Sequence, residues 1–539
     1  MIWNFGDIFD ALLEVLPKEH PALIHGSRAI SWGDLDRRSN NLVQSMYKNG
    51  AQAGDRVCFY MRNRSEYMET LIACFRGRLT HVNVNYRYVA EEIKYIFENS
   101  NATVVVYAEE FREIIDTLQN QLPNVKQWIE IEDQSPPTSK MSYEFLVQDS
   151  PSVSKTAERS PKDQLFIYTG GTTGLPKAVM WDHHNLREAL LLAARAIGPV
   201  PENIAELKEK VILEGPGETM IPACPLMHGT GLLTAINAIC NGGTVITLES
   251  PSLDAPELLH AIEEHKVNSI TIVGDAFAQP ILAELDKNPE LYDLSSLKSV
   301  ISSGVIWSQE SKKRLLNYIP QAALADAFGS SEALGFGTSI TTAEHSTSTA
   351  NFITNDYCKV FDDNDNEIPR GSDKPGFIAF GGPMPVGYYG DEEKTAKTFK
   401  IINGHRYSIP GDYCTVAKDG TLTLLGRGSS CINSAGEKIY PEEVEEAIKK
   451  HHEVKDALVV GVPDSRWGQI VVAVVELENG FTLDENRLKD FASQALARYK
   501  LPKAIFSGGP PFRAPNGKGN YKQILEYATQ LVSANKEAN

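Results

Sequence analysis

From residue 56 onward, short apolar runs of strand length alternate with amphipathic stretches of helix length, and this alternation leaves few folds open to the chain. Arg56–Met61 reads as a buried strand, Glu66–Arg76 as a helix with Met68, Leu71, Ile72 and Phe75 on one face, and His81–Asn85 as the next strand. A helix at Glu91–Phe97 and a strand at Thr103–Tyr107 continue the series. The pattern returns with strands at Thr244–Leu248, Ser269–Val273 and Lys298–Ser302, separated by helices near Pro256–His265 and Gln279–Lys287. Strands joined through helices pair in parallel by crossover connections. Two α/β layers in one large domain of mixed and parallel sheets accommodate them all.

The last part of the chain has another texture. Pro441 opens a helix at its first turn. Strands at Ala457–Gly461 and Ile470–Glu476 follow, then an amphipathic helix from Glu485 to about Tyr499. This order predicts a small α+β unit. The polar run Gly426–Ser430 separates the two textures, so the expected domains are 1–427 and 428–539. The Pro- and Ser-rich stretches Gln134–Lys140 and Pro151–Asp163 read as surface loops, and Gly198–Glu218 as a loop excursion with a short helix.

Composition closes off other classes. A length of 539 residues suggests several domains at ~100–200 residues each. The formal charge of −18 opposes binding to nucleic acid or to an anionic membrane surface. None of the seven cysteines forms a CxxC pair, which fits free thiols in a reducing compartment. Asp7 and Asp10 precede the first apolar stretch, unlike a signal peptide, and no run reaches the ~18–20 apolar residues of a membrane span. A soluble cytoplasmic protein is expected, with a homo-oligomer left open. The pairs His183–His184 and His451–His452 lack a third ligand at metal spacing and read as solvated.

The densest chemical signal is Tyr168-Thr-Gly-Gly-Thr-Thr-Gly-Leu-Pro-Lys177, directly after the apolar run Gln164–Ile167. Gly170, Gly171 and Gly174 let backbone N–H groups converge on an anion, Thr169, Thr172 and Thr173 add hydroxyls, and Lys177 adds a charge. A plain flexible turn seldom concentrates so many donors beside a lysine. The loop is not a Walker A motif, no G-x-G-x-x-G follows a strand, and Gly329-Ser-Ser-Glu-Ala333 lacks the last glycine of a hydrolase elbow.

The loop resembles the phosphate-binding signature of the adenylate-forming enzymes, a family that includes acyl-CoA synthetases, peptide-synthetase adenylation domains and luciferases. Further segments resemble that family in order: Pro225–Gly229, Asp326–Glu332, Ile409–Tyr413, Gly426-Arg427 with Gly436–Glu445, and Tyr499–Pro502 with Asn516–Lys518. The resemblance runs from about residue 20 to 530. It implies a small mobile C-terminal lid that turns about Ser429 and carries Lys518. It also implies a substrate set of a small-molecule carboxylic acid, ATP and coenzyme A, with Mg2+.

By the same resemblance, Lys518 neutralises charge between carboxylate and α-phosphate, and Glu332 anchors the metal. Phe328 offers a face to adenine, with Asp326, Gly329, Ser330, Ser331 and Gly304 beside the nucleotide. Asp412 and Arg427 bind ribose. His228, Gly229, Gly274 and Asp275 line the acyl pocket, although His228 also reads as a structural histidine and Phe328 as core. Ala178, Ser331, Ser429, Asn433, Gly519 and Tyr521 depart from the common family pattern.

The segments Val82–Arg87, Val179–Trp181, Gly426–Ser430 and Asn433–Gly436 resemble the acyl-CoA synthetase branch that activates bulky acids, steroid side-chain carboxylates included, with fatty and aryl-alkanoic acids left open. Two other functions share these motifs. One is adenylation with another acceptor, by β-lactone closure or acyl-carrier loading; the other is nucleotide sensing without catalysis, against which Lys518 and Glu332 argue.

Overall fold

The computed structural model describes residues 3–537, apart from 134–140, 149–157, 170–175, 196–197, 306, 346–350, 373, 428–431, 435–436, 465–467, 497 and 515–518. The chain forms two compact units, one of Met1–Thr349 with Phe380–Ser408 and one of Ala350–Ala379 with Ile409–Asn539.

The first unit contains two large sheets. In one, the strand order is Ala333–Thr341, Ala323–Ser330, Ser299–Ser303, Ser269–Ile272, Thr219–Pro222, Thr244–Thr247, Pro21–His25, Arg28–Ser31. Its inner pairings are parallel and its two outermost are antiparallel. In the other, the order is Gly387–Tyr388, Lys177–Asp182, Gln164–Thr169, Thr80–Asn83, Arg56–Tyr60, Ala102–Ala108, Gln127–Ile131. It is parallel from Gln164–Thr169 through to Gln127–Ile131, and antiparallel where Lys177–Asp182 pairs with Gln164–Thr169 on one side and Gly387–Tyr388 on the other. Strands such as Thr244–Thr247 and Ser269–Ile272 are buried along their whole length, as parallel strands covered on both faces must be.

The strand–helix alternation read from the sequence is therefore present, with small shifts of the ends. Helix Ser65–Arg76 buries every residue from Ser65 to Phe75, and Arg64 and Arg38 bond its acidic Glu66 and Glu69 at 2.8 and 2.9 Å. Buried carboxylates persist only with such partners. Within Gly198–Glu218 the helix is Ile204–Glu214.

The histidine pairs correct the sequence reading. His183 is fully buried between Phe5 and Phe75, and its Nδ1 accepts from the Phe5 N–H at 3.4 Å. Burial lowers its pKa to about 3, so it is a neutral packing residue. His451 is likewise buried and stacks on His452, which is exposed. Imidazole is small and apolar enough, when neutral, to fill such sites, and a sequence spacing does not reveal that.

In the second unit, Asp412–Val416 pairs antiparallel with Leu422–Arg427 and Gly376–Phe380. A further sheet joins Val454–Asp464 to Gly468–Leu477, with Ala504–Ser507 parallel to the latter. Its residues alternate between two cores. Ala457, Val459, Val471 and Ala473 pack with Val444, Ile448 and Leu488, whereas Leu458, Val460, Val472 and Val474 pack with Ile524 and Ala528. That is the two-residue period of a sheet covered by helices on both sides. The helix expected from Glu485 to about Tyr499 ends at Ser493. Its apolar face is complete at Leu496, which bonds back to the Ala492 carbonyl over a tight turn, and a short 3-10 turn at Arg498–Lys500 follows.

Candidate functional site

Parallel α/β sheets expose their ligand crevices at the carboxyl ends of the strands. In the first unit, the ends of Thr219–Pro222, Ser269–Ile272, Ser299–Ser303 and Ala323–Ser330 hold the residues that the sequence singled out. Thr169 and Lys177 face each other at the mouth of an antiparallel pair, so the Gly/Thr-rich loop is closed at its root. The loop residues Gly170, Gly171, Thr172, Thr173 and Gly174 lie outside the described residues. Lys177 makes an ion pair with Asp391, the N-cap of helix Glu392–Thr398. Lys177 holds the Asp391 carboxyl below the usual range. Its 40% exposure leaves the ammonium within reach of an incoming anion.

Strand Lys177–Asp182 also orients the turn at Ser331–Glu332. The Trp181 indole N–H donates to the Ser331 carbonyl at 2.9 Å. Tyr388, paired alongside at Val179, donates its hydroxyl to Glu332 Oε1 at 2.7 Å. Ser330 Oγ accepts from the Glu332 N–H at 3.2 Å. The register of the hairpin shifts between Phe328 and Ser330, and a Cβ on Gly329 would lie 3.0 Å from the Ala333 carbonyl oxygen. Phe328 is largely buried and stacks on Phe336 with ring centroids 5.1 Å apart.

Of the residues expected to line the acyl pocket, Gly229 approaches the same turn. His228 is the half-buried N-cap of helix Gly229–Ile239. A Cβ on Gly229 would sit 3.9 Å from Ser331 Oγ, so the positive end of that helix lies beside the Ser331–Glu332 turn. Gly231 admits no side chain, because a Cβ would come within 2.8 Å of the Pro225 carbonyl oxygen. Gly304 has φ +94°, a conformation that excludes most side chains, and a Cβ there would meet Thr230 Oγ1 at 3.8 Å. The Gly274 N–H donates to Ser302 Oγ at 2.9 Å, and Asp275 Oδ1 accepts from Ser308 Oγ at 3.0 Å.

Asp326 is deeper than its neighbours. Its carboxylate meets Lys312 Nζ at 3.3 Å, with side-chain exposures of 4% and 1%. Burial pushes the Asp326 carboxyl up to about 6, with Lys312 opposing. Through Lys312, Asp326 ties its strand to the helix Gln309–Tyr318.

In the second unit, Asp412 and Arg427 stand opposite each other on neighbouring strands. Ser429 and Lys518 lie outside the described residues. On either side of Lys518, Arg513 pairs with Gly519, and the Arg513 guanidinium grips Asp456 with two bonds of 2.7 Å.

Among the described residues, no three His, Cys, Asp or Glu side chains gather as a metal cage. Glu332 still fits Mg2+, which takes one or two protein carboxylates and completes its shell with substrate phosphates and water. Sequence reasoning missed Tyr388 and Asp391. They follow the loop by more than two hundred residues and carry no motif, so only the fold brings them to it.

The model of the AMP-binding enzyme matches residues 10–389, and that of the AMP-binding enzyme C-terminal domain matches residues 443–507. The chain is 38% identical to a medium/long-chain-fatty-acid–CoA/3-oxocholest-4-en-26-oate–CoA ligase of Mycobacterium marinum, covering 97% of this chain and 96% of that protein. It is also 38% identical to the 3-oxocholest-4-en-26-oate–CoA ligase of Rhodococcus rhodochrous, covering 97% and 95%. ATP-bound MatB from Rhodopseudomonas palustris superposes with a TM-score of 0.80 at 21% identity, over 98% of this chain and all of that one. The anthranilate CoA ligase AuaEII with anthranoyl-AMP gives 0.81 at 19% identity, over 99% and 98%. These two structures share the fold.

Proposed function

The chain belongs to the AMP-binding enzyme family, and from that premise we propose that it is an ATP-dependent acid–CoA ligase acting on bulky apolar carboxylic acids. Medium- to long-chain fatty acids and steroid side-chain acids are its substrate class. The acid first attacks the α-phosphate of ATP, giving an acyl-adenylate and pyrophosphate; coenzyme A then attacks the acyl carbon and releases AMP. A carboxylate is a poor electrophile, so the adenylate supplies the leaving group that thioester formation needs.

The observation that carries this reading is the junction in the first unit. Strand Lys177–Asp182 holds the root of the Gly/Thr-rich loop and, with Tyr388 on the edge strand beside it, orients the Ser331–Glu332 turn, while the N-terminus of the His228–Gly229 helix abuts Ser331. An anionic acid, a triphosphate and a carboxylate-held cation have a common meeting point there. Lys177 and the loop N–H groups receive the β- and γ-phosphates. Tyr388 keeps the Glu332 carboxylate pointed toward them. Bound Mg2+ would be held by Glu332 and would supply positive charge to the phosphate oxygens.

Asp412 and Arg427 take the ribose hydroxyls. Residues 428–539 act as a lid that turns about Ser429, bringing Lys518 up for adenylation and withdrawing it before coenzyme A attacks. The buried free thiols Cys58, Cys74, Cys224 and Cys240 support a cytoplasmic setting, and among the described residues no helix is long and apolar enough to cross a membrane.

The test is incubation with ATP, Mg2+ and a panel of short, long-chain and steroid side-chain acids, with and without coenzyme A. Acid-dependent pyrophosphate and coenzyme A-dependent AMP release are expected with the larger acids. Pyrophosphate without acyl-CoA would point to another acceptor, and no nucleotide cleavage with any acid would reject the reading.

A further inference from the structure

Asn83 ends strand Thr80–Asn83 and is 3% exposed. Its side chain makes three bonds to backbone. The carboxamide oxygen accepts from the Tyr168 N–H at 2.6 Å, and Nδ2 donates to the carbonyls of Tyr168 at 3.1 Å and Met227 at 2.6 Å. Tyr168 is two residues before the Gly/Thr-rich loop, and Met227 directly precedes His228. One buried amide therefore ties the root of the phosphate loop to the acid-side segment.

A second amide steadies the far end of that segment. Asn63, just past the adjacent strand Arg56–Tyr60, accepts from the Leu226 N–H at 2.7 Å and donates to the carbonyls of Pro222 at 3.2 Å and Cys224 at 3.0 Å. Asn63 holds the acid side alone, whereas Asn83 spans both sides.

We infer that Asn83 is a positioning residue that sets the register between bound ATP and bound acid. This rests on the ligase reading. In-line attack on the α-phosphate tolerates little misplacement of the two reactants. Fixing both segments through one side chain needs one acceptor and two donors on a neutral group, which a carboxamide supplies and a carboxylate does not.

That difference supplies the test. In Asn83→Asp the carboxylate still accepts from the Tyr168 N–H but faces two carbonyl oxygens. Protonation restores one donor and, with it, the bond to Met227. The titratable groups on the elements packed around this position are Cys58, His81, Tyr168 and His228. Burial pushes Cys58 up to about 12, lowers His81 to about 3, and raises Tyr168.

The experiment measures acid-dependent pyrophosphate release by the full-length wild type, Asn83→Asp and Asn63→Asp from about pH 5.5 to 8.5, together with thermal melting. The loss of kcat in Asn83→Asp is expected to be about ten- to hundredfold at the alkaline end. Its ratio to wild type should rise as pH falls. Asn63→Asp should raise KM for the acid and leave KM for ATP within about twofold.

A pH-flat ratio, a kcat equal to wild type, or equal changes in both KM values of Asn63→Asp would each overturn the inference. Should Asn83→Asp fail to fold, Asn83→Ser keeps a small donor and should lose about tenfold in kcat with both KM values nearly unchanged; an unchanged kcat overturns the inference. A wild type that releases no pyrophosphate with any acid would instead overturn the ligase reading, and this inference with it.

Discussion

The two units hold their site residues by different chemistry. In the first, besides the ion pairs Lys177–Asp391 and Lys312–Asp326, neutral groups fix backbone: Asn83 on Tyr168 and Met227, Trp181 on Ser331, Ser302 on Gly274. In the second, the chain around Lys518 is framed by charge. Arg513 grips Asp456, Lys449 pairs with Glu446, and Tyr521 donates to the buried Glu445 at 3.0 Å. Burial pushes the Glu445 carboxyl up to about 7, with Lys449 and the Val459 N–H pulling the other way. Neutral bonds hold backbone in a pH-independent register, whereas a buried acid, Glu445 in the second unit or Asp326 in the first, makes its surroundings respond to pH.

The sharpest way to break this comparison is to remove the charge that the second unit is proposed to deliver. Lys518→Ala is expected to cost acid-dependent pyrophosphate release ~2–4 kcal/mol of transition-state stabilisation. Thioester formation from supplied acyl-adenylate should survive. Near-normal pyrophosphate release would remove Lys518 from adenylation and leave the charged frame without a task.

The pH response comes next in size. The folded pKa of Glu445 lies above its ordinary 4.5, so the folded state keeps a proton that the unfolded chain releases. The stabilisation is full below about 4.5 and is lost as pH rises to about 7. Protection of the Val459 amide, which donates to Glu445 at 2.9 Å, should fall across that window by on the order of 2 kcal/mol after correction for intrinsic exchange. Glu445→Gln keeps the acceptor and should flatten the profile. An equal slope in both proteins would place the titration elsewhere.

The smallest effect belongs to a single hydroxyl of the first unit. Tyr388→Phe removes one donor from Glu332 and should cost about 1 kcal/mol in pyrophosphate release, with a raised Mg2+ requirement. An unchanged Mg2+ dependence would separate Glu332 from the cation.

Periodicity revealed the sheets because parallel strands such as Ser269–Ile272 are short and buried along their length and the helices between them are amphipathic. It also placed the loop, since Thr169 and Lys177 end paired strands. What sequence could not show is which distant residues meet. Asp391 reaches Lys177, and Tyr388 reaches Glu332, only through the edge strand Gly387–Tyr388. The buried state of His183 depends on Phe5 and Phe75, far away in the chain. Two departures from the family pattern, Gly519 and Tyr521, become one feature in three dimensions. A Cβ at 519 would lie 2.7 Å from the Tyr521 ring and 3.0 Å from Leu458, so the residue after Lys518 is small because the tyrosine fills its space.

The most direct test of the account follows an oxygen atom. If the acid attacks the α-phosphate, the bridging oxygen of the acyl-adenylate comes from the carboxylate and leaves on AMP when coenzyme A takes the acyl group. A long-chain or steroid side-chain acid labelled with 18O in its carboxylate, incubated with the protein, ATP, Mg2+ and coenzyme A, should yield AMP carrying one labelled oxygen by mass spectrometry. Unlabelled AMP, or label appearing in inorganic phosphate, would contradict adenylation by this chain.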